Sequence, residues 1–268
     1  MAFNLGLEED SWAVINAAFF ILAIGMLDDA IGVSVKLRLI VQVVAVGLVI
    51  FWSDLMVSSL GIGGALGQDL PWWAGLILTV ISVVALTNSF NMVDGLDGLS
   101  AGHFIVSVVG IALGWNLSVG TFLGLEWIVI CSFSVLGFLL VNLSATPLPK
   151  VFLGDAGALL LGFLMSWFLI GVTQAEGQVM NPVCVLWCIS IPLLDCVLVV
   201  TRRIVAGRPP WVADRRHLHH DLLRKGLGPR QTLGVLLTSA LVINSLGLWV
   251  TVAVSTTLGV GIFILSVA

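Results

Sequence analysis

The chain has no tyrosine and little charge. Of its 268 residues, 11 are Lys or Arg and 15 are Asp or Glu, 10% in all, against 59% hydrophobic residues and a mean hydropathy of +1.14. An ordinary soluble domain carries about 25% charge. So much apolar surface cannot be hidden inside a water-facing fold of this size, and a bilayer must be the solvent for most of it. A net charge of −4 without a basic stripe excludes nucleic acid as a partner. The four cysteines (Cys131, Cys184, Cys188 and Cys196) lie in apolar runs without the spacing of a metal site, and they read as packing residues. No basic segment precedes the first apolar run, where Glu8, Glu9 and Asp10 stand, so that run is not a secretory signal. With tyrosine missing, tryptophan supplies the aromatic belt: Trp12, Trp52, Trp72, Trp73, Trp127 and Trp249 fall near the ends of apolar runs. No repeat, long linker or low-complexity tract divides the chain, which reads as a single integral domain, 1–268.

A membrane-crossing helix needs roughly 17–25 apolar residues. The sequence predicts an all-α, polytopic helical bundle of about nine spans, near 11–27, 36–53, 71–90, 101–118, 124–142, 156–172, 181–201, 232–250 and 252–268. If residues 28–35 face the cytoplasm, alternation puts 91–100, 143–155 and 202–231 on that side too. Those segments and their flanks hold every basic residue: Lys36, Arg38, Lys150, Arg202, Arg203, Arg208, Arg215, Arg216, Arg224, Lys225 and Arg230. The opposite side holds Glu8, Glu9, Asp10, Asp54, Asp69, Glu126 and Glu176 and nothing basic, as the positive-inside rule requires. Gly110 with Gly114, and Gly157 with Gly162, are spaced for close helix contacts.

The same count gathers the polar clusters on the cytoplasmic side. Asp28-Asp29 closes the first span, where adjacent acids are costly unless used; one can act as a base toward a phosphate acceptor or help hold a metal. Asn88, Asn91, Asp94 and Asp97 form the densest polar insertion, and each three-residue pair shares a face if the segment is helical. Amide and carboxylate together suit a nucleotide's base and ribose or a metal-bound diphosphate. An EF-hand is excluded, because its twelve-residue spacing and terminal Glu are missing. Asp155 stands at the mouth of the sixth span, either as an N-cap or as a magnesium ligand. Asp214-Arg215-Arg216-His217-Leu218-His219-His220-Asp221 offers histidines and arginines that can grip phosphate, with zinc as the competing reading. Residues 218–225 read as a short surface helix. Asp195, inside the seventh apolar run after Pro192, is either a functional intramembrane acid or a partner of Arg202 or Arg203.

These motifs, in this order, resemble those of the polyprenyl-phosphate N-acetylhexosamine-1-phosphate transferases, glycosyltransferase family 4. The loop around His217 and the Ile191–Asp195 element resemble the bacterial undecaprenyl-phosphate GlcNAc-1-phosphate branch. Asp28-Asp29 matches the family's double aspartate, Asn88–Gly98 its asparagine–aspartate stretch, and Phe152–Gly157 its FxGDxGS element, with Ala158 where Ser is usual. The resemblance covers about residues 21–235. It implies transfer of a sugar-1-phosphate, most often GlcNAc-1-phosphate, from a UDP-sugar to undecaprenyl phosphate with release of UMP, the first membrane step of cell-envelope polysaccharide synthesis, lipopolysaccharide and cell wall included. It implies Mg²⁺, or Mn²⁺ in its place, and a cytoplasm-facing site in the bacterial inner membrane; a homodimer stays open. By the resemblance Asp28, Asp29 and Asp155 are catalytic, with the metal on Asp155 and Asp29, and Asn88, Asn91, Asp94, Asp97, Arg216, His217, His219 and His220 bind substrate. Set against the family's usual pattern, the chain starts where its third span does. An inactive truncated homologue is therefore a competing reading, as is a transporter, although transporters place their sites near the membrane midplane and these acids, apart from Asp195, sit at span ends.

Overall fold

The computed structural model describes residues 9–62, 69–115, 125–144, 151–174, 179–209 and 217–267. In chain order the helices are α1 (Glu9–Ile31), α2 (Val35–Ser53), α3 (Trp72–Val93), α4 (Leu99–Gly114), α5 (Leu125–Asn142), α6 (Gly154–Gln174), α7 (Pro182–Cys188), α8 (Ser190–Val205), α9 (Leu218–Arg224), α10 (Pro229–Trp249) and α11 (Thr256–Val267), with a π-helical turn, Val250–Val254, between the last two. The all-α bundle of a multi-pass membrane protein is as expected. Each of the nine apolar runs holds a helix, but among the described residues five helices are long and apolar enough to cross a membrane: α1, α2, α3, α6 and α10 continued through the π turn. The bent pair α7–α8 makes a sixth if it counts as one span. Helices α4, α5 and α11 are apolar but shorter; at ~1.5 Å per residue a helix like α4 falls short of a ~30 Å hydrocarbon core.

Helix α6 is the axis of the bundle. In its membrane window 78% of residues are buried, against 28% in α1 and α2 and 39% in α3, so it meets protein where they meet lipid. It lies in backbone contact with both neighbours. A Cβ on Gly25 would fall 2.4 Å from Cα of Ala156, and one on Gly162 would fall 2.7 Å from Cα of Thr87. Small residues at such contacts drive helix association where lipid offers no hydrophobic gain. Gly110 and Gly114 likewise admit Cys188 and Met180, while the nearest neighbour of Gly157 is Leu153, just ahead of it in the chain.

The run expected as one span at 181–201 is two helices that meet at 80°. Pro192 explains the break: it has no N–H to give, and its ring crowds the carbonyl four residues earlier, that of Cys188. A freed carbonyl in a membrane needs another donor. Asn244 of α10 supplies it, with Nδ2 3.3 Å from the Cys188 carbonyl oxygen and 3.3 Å from that of Val106, while its Oδ1 accepts the Ser190 hydroxyl at 3.3 Å. The segment whose helicity the sequence left open is split: Asn88 and Asn91 lie on α3, which stops at Val93, while Asp94–Gly98 turn the chain into α4.

At one end of the bundle Gln174 of α6 ties down the segment after α2, its Oε1 accepting the N–H groups of Ser58 and Ser59 at 3.0 Å each. The opposite end carries the polar motifs. Replacing Asn244 with Leu leaves the Cys188 carbonyl and Ser190 hydroxyl without their partner in an apolar site. Thermal unfolding in detergent should register a loss of about 1–3 kcal/mol, whereas Ser245→Ala, on the exposed face of α10, should be nearly silent.

Candidate active site

Asp28 and Asp29 occupy the last turn of α1, and adjacent positions on a helix point in different directions. Asp28 turns toward α2. Its carboxylate accepts the Val33 N–H at 2.6 Å and pairs with the guanidinium of Arg38 in the first turn of α2. Arg38 also reaches Asp155, 3.6 Å away on α6, and so stands between the two acids.

Asp29 turns toward α6. Its Oδ1 accepts the Asp155 N–H at 2.8 Å and its Oδ2 the Ala156 N–H at 3.1 Å. These are two of the four N–H groups that the start of a helix leaves unpaired, so α6 is capped by a carboxylate from another helix. Asp155 lies inside that first turn, and its carboxylate is left for other partners. The approach requires glycine at 154: φ there is +67°, and a Cβ would lie 2.7 Å from Oδ2 of Asp29.

Beside this junction lies a cleft of about 380 Å³, walled by Asp29, Asp94, Asp97, Asn142, Phe152 and Asp155 among others. Asp94 carries the electrostatic mark of that gathering. Burial, then the charges of Asp155, Asp97 and Asp29, push its carboxyl up to about 7. Asn142, in the last turn of α5, donates to the Val151 carbonyl at 2.7 Å, while its Oδ1 is buried without a partner. Asn88 and Asn91 sit on α3 and are not among the residues that line the cleft. Asn88 donates to Oε1 of Gln42 on α2 at 2.7 Å, and Oδ1 of Asn91 is buried without a partner.

Three of the four histidines form one cluster. The rings of His217 and His219 stack at 5.6 Å, and those of His219 and His220 are 4.1 Å apart. His219 is 2% exposed, and its Nε2 has no hydrogen-bond partner. It lies so close to Gly95 that a Cβ there would fall 2.2 Å from it. The histidine cluster therefore abuts the loop that carries Asp94 and Asp97. Burial, then His220 and His217, hold the His219 ring down at about 4, so it is neutral at physiological pH. Arg216, with Asp214 and Arg215, lies outside the described residues.

Three contributors escape the sequence pattern. Arg38 figures there only in the sidedness of charge, and Gln42 and Asn142 are lone amides in apolar runs. A polar group in such a run is itself a signal; what sequence does not reveal is which acid or amide it faces. Asp195 has a partner that sequence also missed: its oxygens lie 2.8 Å from Nδ1 of His217 and 2.9 Å from the Leu218 N–H.

An octahedral cation such as Mg²⁺ takes one or two carboxylates and leaves its other positions to water and substrate phosphates. Among the described residues no three His, Cys, Asp or Glu side chains converge closely enough to enclose a metal ion. The cleft nonetheless fits such a cation: four aspartates line it, and burial together with the charges of Asp155, Asp97 and Asp29 holds the Asp94 carboxyl up. Asp155 is the ligand best placed to serve. Asp29 also qualifies, since a carboxylate oxygen that accepts one N–H keeps a second lone pair.

Comparison with known proteins bears on this site directly. Residues 11–173 match the family described as Glycosyl transferase family 4. The chain is 37% identical over 226 residues to the undecaprenyl-phosphate alpha-N-acetylglucosaminyl 1-phosphate transferase of Escherichia coli (strain K12), covering 84% of this chain and 61% of that protein. It is 35% identical over 232 residues to the protein of the same name from Yersinia pestis, with the same coverage. The corresponding figures for Haemophilus influenzae are 38% over 220 residues, 80% of this chain and 60% of that one. The chain thus spans about three-fifths of the length of the curated relatives it matches. The match contains the double aspartate, the asparagine–aspartate turn and the Asp155 element, the three segments that build the acidic cleft, and the chain belongs to glycosyl transferase family 4.

Proposed function

We propose that this chain transfers an N-acetylhexosamine-1-phosphate, GlcNAc-1-phosphate in the first instance, from a UDP-sugar to undecaprenyl phosphate and releases UMP. The observation that carries the reading is the cleft itself: Asp29, Asp94, Asp97 and Asp155, drawn from three separate segments, line it together, with Arg38 bridging Asp28 and Asp155 beside it. Relatives in the family bear the name of this activity. All eleven Lys and Arg residues can be placed on the side that carries this cleft, which supports a site facing the cytoplasm in a bacterial inner membrane. Counted by apolar segment, with α7–α8 as one and the shorter α4, α5 and α11 accommodated by local thinning of the bilayer, the chain is read as crossing nine times.

In the reaction an oxygen of the lipid phosphate attacks the β-phosphorus of the UDP-sugar. A new P–O bond forms there, and the bond from the β-phosphorus to the bridging oxygen breaks, so UMP leaves with that oxygen. The product is a polyprenyl diphosphate sugar. Mg²⁺ or Mn²⁺, when bound, neutralises the diphosphate and polarises the β-phosphorus. Asp155 holds that cation, with Asp29 fixing the turn that presents Asp155. Asp28, steadied by Arg38, orients the acceptor phosphate and accepts its proton where it carries one. Asp94, Asp97, Asn88 and Asn91 shape the nucleotide side. His219, His220 and Arg216 donate to the phosphates, and His217 joins them through Nε2 when its ring carries both protons.

A broken helix is the one feature a transporter shares. Here the carbonyl freed at the break is taken by Asn244 instead of lining a substrate path, so the transferase reading is preferred.

Purified protein given undecaprenyl phosphate, Mg²⁺ and a panel of UDP-N-acetylhexosamines should release UMP only when lipid and metal are both present. Release from water alone, or uptake of the UDP-sugar into vesicles without UMP, counts against the proposal. Asp155→Asn should retain its melting temperature and lose more than about 100-fold in kcat/KM, beyond the usual cost of disturbing a ligand's supporting partner; undiminished turnover removes the metal role. Gly154→Ala should strain the chain by about 1–3 kcal/mol and push Asp29 off the α6 N-terminus. The expected result is a lower melting temperature and a higher Mg²⁺ requirement together.

A further inference from the structure

Asp195 has no part in the reaction above, yet it is the most committed acid near the site. It lies on α8 after the break and is 3% exposed. A carboxylate in such a position is expensive unless its oxygens are satisfied. Oδ2 lies 2.8 Å from Nδ1 of His217, and Oδ1 accepts the Leu218 N–H at 2.9 Å. A carboxylate can only accept, so Nδ1 of His217 carries a proton, and Nε2 is the nitrogen left for any other partner. The same two contacts fix the entry to α9. That short helix bears His219 and His220, and the unpartnered Nε2 of His219 lies against Gly95 in the cleft wall.

From this geometry we infer that Asp195 is a positioning residue for the transfer: it fixes the tautomer of His217 and anchors the first turn of α9, so that the histidines meet the acidic cleft as one unit. The inference rests on the transferase reading for its effect on rate, but not for the tautomer. The break between α7 and α8 gives Asp195 its place. With Pro192 ending the straight run, α8 leaves at 80° to α7, and its buried acid meets a segment more than 20 residues further along the chain.

The test is a double-mutant cycle on the full chain, Asp195→Asn against His217→Gln, read as kcat/KM for UMP release alongside melting temperature. Asparagine can still accept the Leu218 N–H through Oδ1, but it turns an N–H₂ toward His217. Asp195→Asn should fold, lose roughly 10- to 100-fold in kcat/KM, and cost less than about twofold more in the His217→Gln background, because both changes act through one ring. Asp195→Glu should recover part of the loss. Equal factors in the two backgrounds, or full activity of Asp195→Asn, overturn the inference. A second measurement does not depend on turnover or on the stability of any variant. ¹⁵N NMR of histidine-labelled protein, at a pH where the ring is neutral, should find His217 protonated on Nδ1, and a proton on Nε2 overturns the inference. If the parent protein releases no UMP, it is the transferase reading that fails, and the tautomer still decides the role of Asp195.

Discussion

The polar end of this molecule depends on the clasp between Asp29 and the N-terminus of α6. Two N–H groups at the positive end of a helix dipole receive a carboxylate from the end of another helix. Close by, Gly25 and Ala156 bring the two backbones into contact. The clasp sets the depth and rotation of α6, the helix on which the rest is packed. It thereby sets where Asp155 emerges, how far Arg38 must reach, and how Asp94 and Asp97 across the cleft face it. Because Asp29 satisfies the start of α6, the Asp155 side chain is spared from capping and lines the cleft.

Lipid as solvent explains why the polar groups are so densely cross-connected. Water is not at hand to satisfy a stray amide, and several polar groups are answered by a side chain from elsewhere: Asn244 at the α7–α8 break, Gln42 facing Asn88 between α2 and α3, Gln174 under the segment after α2. The site is built from the deviations left over. Asp94–Gly98 interrupts the passage from α3 to α4, Gly154 turns the chain into α6, and Asp195 follows the break at Pro192. Groups that would be liabilities in a straight span become the walls and supports of one cleft.

Much of this was legible in the sequence, because periodicity and sidedness are local properties of a membrane chain. Nine apolar runs, the gathering of Asp28-Asp29, Asp94, Asp97, Asp155 and the histidines at one end, and the short helix after His217 all follow from composition and alternation. Pairings do not. Nothing local says that Asp29 caps a helix more than a hundred residues away, that Arg38 stands between Asp28 and Asp155, or that the partner of Asp195 is His217. The break at 189 was hidden because Pro192 in an apolar run is equally compatible with a mild kink. Whether Asp94–Asp97 is helical was left open by spacing alone; the glycines at 95 and 98 favour a turn, which places the acids in a cleft wall instead of on a helix face.

The central claim is that the acidic cleft is where cation and nucleotide meet. It is tested most directly by an experimental structure of the chain with Mn²⁺ and UMP, in which anomalous scattering locates the metal. The account predicts a cation bound to Asp155 in the cleft walled by Asp94 and Asp97, at roughly the short distances of a carboxylate–metal bond, with the nucleotide beside it. A metal seated on the histidine cluster, or a nucleotide outside the cleft with Asp155 facing only Arg38, would contradict it.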